Sequence, residues 1–178
     1  HYGNWEWVSS IPLHVNAENV QLGQIYHKLS NKLVDRLLLD NRSRMGAVSI
    51  EMHQTLRWVN EQINNRVTTI IGYIADQSPK KKDANYFLDF LNHSVPVLVG
   101  AEKITKRYQM EAYYLDIVRV KRGFYKGRFI RMSEDPKSLP DYKLTEIYYS
   151  YLEKTISSRP EFYLWTHKRF RYAKPQTL

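Results

Sequence analysis

Residues 68–75 read TTIIGYIA and residues 76–79 read DQSP. The first stretch carries no charge, is rich in β-branched side chains and is bounded by polar chain on both sides. That composition predicts a strand buried in the middle of a sheet. Asp76-Gln77-Ser78-Pro79 then lies at the strand's carboxyl end, where open α/β sheets gather their ligands.

Outward from this strand, apolar periodicity alternates between the two regular types. Val20 to Tyr26 reads as a short strand. Ser30 is placed to cap a helix through Leu33, Val34, Leu37 and Leu38 that ends before Gly46. Ile50 to about Asn64 has the pattern of a second amphipathic helix. On the other side, Pro96 to Gly100 leads into a helix over Ala101 to Gln109. Tyr113 to Val120 and Phe124 to Met132 predict two strands joined as a hairpin by Lys121-Arg122-Gly123. Glu134 to Pro140 is a polar loop. A last long helix carries Leu144, Ile147, Tyr148, Tyr151, Leu152 and Ile156 on one face. The sum is an α/β chain with a mixed sheet, read as one domain over 1–178, with no repeat or linker to divide it.

Composition narrows the classes. With 178 residues and 43% hydrophobic content the chain can bury a core, and seven Gly with seven Pro exclude collagen-like or disordered sequence. The absence of Cys removes disulfides, thiolate zinc sites and cysteine nucleophiles, and fits a reducing compartment. No apolar run approaches the roughly 18–20 residues of a spanning helix. The chain opens on His1 without an initiator Met, which is read as the C-terminal part of a longer chain whose first strands and anchor precede it.

Charge is unevenly placed. Residues 1–99 hold ten basic and nine acidic side chains, whereas 100–178 hold seventeen and nine, so +8 of the net +9 lies in the second half. This suits an anionic partner: a membrane surface, an acidic protein or a nucleic acid. Basic–aromatic mixtures at 119–125 and 168–172 could grip a nucleic-acid backbone and stack bases, although the same aromatics fall where a core needs them.

Candidate chemistry centres on the opening HYGNWE. His1 and Glu6 stand five positions apart across a Gly-Asn turn, so an acid could bond one ring nitrogen and leave the other as a base. On spacing alone the pair is common by chance and fits an ordinary structural histidine better than a catalytic one. His14, His27, His53, His93 and His167 show no metal-site spacing. GxSxG, GxxxxGK[ST] and GxGxxG are all missing, so the serine hydrolase, P-loop and dinucleotide readings lose their main supports. Lys80-Lys81-Lys82 reads as a solvated loop or a docking point for an acidic partner. Arg42 and Arg44 flank Ser43 near a helix end, either compensating the dipole or offering two forks to phosphate or carboxylate.

Taken together and in order, HYGNWEW, ADQS, PVLVGAEKITKR, YLDIVRVKRGFYKGRF and RPEFYLWTHKRF resemble the late acyltransferases of lipid A biosynthesis, from residue 1 to about residue 171. The closing PEFYLWTHKRF is the most specific piece, and the His-x4-Glu opening is the shared catalytic signature. The resemblance implies a glycerolphosphate-acyltransferase-like α/β fold and an enzyme on the cytoplasmic face of the inner membrane. It further implies transfer of an acyl chain from an acyl-carrier-protein thioester to a hydroxyl of a lipid A precursor, with no metal or other cofactor and no nucleic acid. Carried over, His1 is the general base, Glu6 its orienter, Arg42 and Arg44 lie near the acceptor headgroup, and Asp76 has a positional role. His27-Lys28 departs from the Arg-Pro or Lys-Pro of many members, which leaves acceptor specificity open. The same fold acting on a phospholipid or aminolipid is the alternative.

Overall fold

The computed structural model describes residues 1–15 and 18–174. The chain gathers into two compact units: a smaller one, Trp5–Ile74, and a larger one, His1–Asn4 with the chain from Ala75 on.

The smaller unit opens with a 3-10 helix, Trp5–His14. Three parallel strands follow, β1 (Val20–Tyr26), β2 (Val48–Glu51) and β3 (Thr68–Gly72), in the order β2-β1-β3. Parallel neighbours need long crossovers, and these are helices α1 (Lys32–Ser43) and α2 (Thr55–Asn64). Gly23 at the centre of β1 pairs with Val48 on one side and Ile71 on the other. A methyl group there would run into the tips of Ile50 and Trp58, so the position takes glycine for close approach.

The larger unit pairs its strands antiparallel. β4 (Phe87–Phe90) and β5 (His93–Pro96) turn through Leu91 and Asn92, both at positive φ. The Leu91 amide donates to Glu153 at 2.8 Å, which holds that strained turn. Helix α3 (Gly100–Tyr108) ends on Gln109 in the left-handed region. β6 (Tyr113–Lys121) and β7 (Phe124–Arg131) form a hairpin whose turn uses Gly123 at φ 78°. Helix α4 (Lys143–Ser158) packs Leu152 and Ile156 into a core with Phe90, Val95, Val97, Tyr114, Tyr149 and Tyr163. Buried Glu102 of α3 accepts from the Thr145 amide at 2.9 Å and its hydroxyl at 2.6 Å, tying α3 to the first turn of α4.

The α/β class holds, but parallel and antiparallel pairing occupy separate sheets instead of one mixed sheet. The strand expected to be central and buried is β3, which borders the parallel sheet and leaves Ile70 39% exposed; β1 holds the centre. The expected helix from Ile50 begins five residues later, because residues 48–51 pair with β1 as β2. Asn31, not Ser30, caps α1, its side chain accepting from the amides of Leu33 and Val34 at 3.1 and 3.2 Å. On α4 the fully buried tyrosine is Tyr149, a residue the expected face omitted. Local sequence does not announce the β4–β5 hairpin, whose turn uses Leu91-Asn92 where glycine would mark one.

Candidate active site

Three sequence-distant segments meet around His1 within the larger unit. The opening backbone runs antiparallel to residues 162–164: Gly3 N donates to Phe162 O at 2.8 Å, and Leu164 N donates to His1 O at 3.1 Å. Gly3 takes φ 61°, which frees the chain to leave that pairing immediately. The Tyr2 hydroxyl donates to Arg159 O at 3.0 Å, fastening the same two segments a second time.

The third segment brings the carboxylate. His1 Nδ1 lies 2.6 Å from Asp76 Oδ1, with the side chains 13% and 2% exposed. A carboxylate accepts, so Nδ1 carries a proton, and in the neutral ring Nε2 is then the acceptor. The Gln77 amide nitrogen meets Nε2 at 3.3 Å. Asp76 itself sits among tyrosines. Burial first, and then the Asp76 charge, pushes the Tyr163 hydroxyl well above the ordinary phenol value. Burial likewise takes Tyr149 to about 12. These phenols stay protonated and able to donate.

Residues 167–169 lock the loop that carries Asp76. Ser78 Oγ donates to Arg169 O at 2.6 Å, and the Ser78 amide donates to His167 Nε2 at 3.1 Å. Arg169 is 2% exposed. Its guanidinium lies 5.3 and 5.2 Å from the ring centroids of Phe90 and Tyr149 and donates to the Tyr149 hydroxyl at 2.9 Å. That hydroxyl in turn donates to Ala75 O at 2.9 Å. Through Tyr149 the cation holds Ala75, the residue before Asp76, and it offsets a buried negative charge. Burial, and next the Arg169 charge, holds His167 below the usual histidine value, so it serves here as a neutral acceptor.

The remaining candidates belong to the smaller unit. Glu6 is exposed in the first turn of the 3-10 helix, its carbonyl accepting from the Ser9 hydroxyl. Arg42 lies in the last turn of α1, its guanidinium 6.0 Å from the Tyr26 ring centroid at the carboxyl end of β1. Arg44 is the exposed C-cap of that helix. A groove of about 330 Å³ opens at the carboxyl ends of β1 and β2, lined by Tyr26, Glu51, Arg57 and Trp58 among others.

Over residues 1–172 the chain matches the family model described as bacterial lipid A biosynthesis acyltransferase. The chain belongs to that family. No curated protein matches it. Membership makes the protein an acyl-group transferase of lipid A biosynthesis, and it implies a lipid A precursor as substrate. In this acyltransferase no helix among the described residues is long and apolar enough to cross a membrane. Among the same residues, no group of three or more His, Asp or Glu side chains gathers as a metal site.

Local sequence does not mark Gln77, His167 and Arg169 as parts of the site; their only signal is membership in ADQS and THKRF, two motifs that the fold brings together.

Proposed function

We propose that this acyltransferase moves a fatty acyl chain from an acyl-carrier-protein thioester to a hydroxyl of a lipid A precursor, with His1 as general base. The observation that carries the reading is the buried carboxylate 2.6 Å from His1 Nδ1, with Nε2 left as the ring's acceptor. A hydroxyl is a poor nucleophile until a base takes its proton, and a positioned base contributes typically about 10²–10⁴-fold. His1 Nε2 takes that proton, and Asp76 fixes the tautomer and stabilises the imidazolium. Glu6 keeps its place as the second acid of the His-x4-Glu signature. No covalent enzyme intermediate, metal or other cofactor enters this scheme.

Arg42 and Arg44 are assigned to the acceptor headgroup, a role supported by Arg42 standing at the carboxyl edge of the parallel sheet. The +8 second half suits an acidic carrier protein and anionic lipid. Helix α1 supports attachment at the cytoplasmic face of the inner membrane, since it exposes Leu33 and Leu37 beside Lys32 and Arg36. The fold class is consistent with a glycerolphosphate-acyltransferase-like arrangement.

The test uses the full-length protein with acyl-carrier thioester and lipid A precursor in mixed micelles. His1→Ala should lower transfer at least about a hundredfold while the protein still folds. Arg42→Ala and Arg44→Ala should weaken use of the acceptor and spare the slow hydrolysis of the thioester. Near-wild-type transfer by His1→Ala removes the mechanism. Equal loss of transfer and hydrolysis in the arginine variants moves that pair out of the acceptor site.

A further inference from the structure

Gln77 follows Asp76 directly and turns its side-chain amide onto the working face of His1, with Nε2 of one 3.3 Å from Nε2 of the other. Its backbone is clamped on both sides. Asp76 is 1% exposed, and Ser78 is bonded through its hydroxyl to Arg169 O at 2.6 Å and through its amide to His167 at 3.1 Å. The side chain itself is half-buried and lies outside the hydrophobic core. A fixed backbone thus aims a neutral donor at the atom that must receive the acceptor's proton. The bond is longer than the usual 2.7–3.2 Å range, roughly, for such contacts, so a substrate oxygen can replace it at small cost.

We propose that Gln77 is a catalytic residue of the acyl transfer, capping Nε2 in the resting enzyme and donating to the developing oxyanion once the acceptor hydroxyl has taken that place. The proposal rests on His1 being the base. The hydroxyl oxygen must come within about 2.6–3.2 Å of Nε2, and the carbonyl carbon it attacks lies about 3–3.5 Å farther on. The carbonyl oxygen is one bond of about 1.23 Å beyond. A flexible side chain that starts beside Nε2 reaches this oxygen by rotation about its own bonds. In the step, the hydroxyl proton passes to Nε2 as the new C–O bond forms, and the carbonyl π pair moves onto oxygen facing the Gln77 N–H. The carbonyl then re-forms, the C–S bond breaks, and the carrier thiolate takes the proton back from His1. Ester and free carrier thiol are the products, and His1 and Gln77 end as they began.

The deciding experiment compares Gln77→Ala and the nearly isosteric Gln77→Glu with the parent, in full-length protein, on carrier thioester and lipid A precursor. Loss of one oxyanion donor should lower kcat about 10²–10³-fold, while KM for either substrate moves no more than a few-fold. In nitrogen-15 NMR spectra the His1 Nε2 resonance should move in Gln77→Ala, and the Nδ1 resonance, held by Asp76, should stay. Melting temperatures should match the parent; if the alanine variant misfolds, the glutamate variant alone decides, since it keeps the shape and replaces the donor with an acceptor. A kcat within about threefold of the parent in Gln77→Glu, or a loss confined to KM, overturns the proposal. His1→Ala run alongside separates the two readings. An inactive His1→Ala beside a normal Gln77→Glu sinks only the role of Gln77, and an active His1→Ala sinks the base as well.

Discussion

In the larger unit Phe90, Val95, Tyr149 and Ile156 are each at most 2% exposed, whereas in the smaller unit Leu33 and Leu37 of α1 are 83% and 67% exposed. Both regions have amphipathic helices; in the smaller unit α2 buries Val59, whereas α1 leaves Leu33 and Leu37 outward. The closed unit also holds the buried polar groups around His1: Asp76, Arg169 and the tyrosine hydroxyls. A charge such as Asp76 is costly to bury and must be met by donors. In return, exclusion of water strengthens its hold on the imidazole. In the open unit, apolar side chains face outward on α1 and at Ile70 of β3, which is surface suited to contact rather than to catalysis.

Stability measurements should separate the two regions most widely. Ile156→Ala empties part of the closed core and should cost about 2–5 kcal/mol, while Leu37→Ser on the open face should stay within about 0.5 kcal/mol. Urea melts of both variants check this. A large loss from Leu37→Ser would mean that the α1 face is covered in solution. A smaller effect sharpens the picture inside the open unit. Asn31→Ala should cost about 1 kcal/mol through the lost cap, and Ser30→Ala should be near neutral, as thermal melts would record. The smallest effect is a slope in the closed unit. The folded state holds His167 below the usual histidine value, by burial first and Arg169 second. The unfolded chain, with a histidine near about 6.5, therefore binds more protons in the window below that pH. Stability should fall as pH drops from about 6.5 towards the lowered value, and His167→Gln should flatten that dependence.

The same contrast explains what the sequence disclosed. Val20–Tyr26, α3 and the β6–β7 hairpin were legible because their apolar period and their punctuation, such as Gly123, agree with the fold. Ile50 and Glu51 read as the start of the following helix because Ile50 suits either pattern, and only pairing with β1 makes residues 48–51 a strand. TTIIGYIA has the composition of a buried strand, but composition does not choose between the centre and the border of a sheet. In the site, His1 stood out through its motif. Glu6 was the orienter nearest in sequence, whereas the carboxylate on Nδ1 comes from 75 residues away, a distance that no local spacing reports. Arg169 reads in the sequence as part of a basic–aromatic run that could grip a nucleic-acid backbone. Its burial between Phe90 and Tyr149 depends on strands and a helix that the local pattern cannot bring together.

The central claim is that Asp76 orients His1 as the base, and the turnover of Asp76→Asn measured beside Glu6→Gln tests it most directly. Asp76→Asn keeps the shape and removes the charge that holds the Nδ1 proton. The account predicts at least about a hundredfold loss of acyl transfer, the scale of an ineffective general base, with folding retained. Near-wild-type transfer by Asp76→Asn, with transfer abolished in Glu6→Gln, would contradict it and return the orienting role to Glu6.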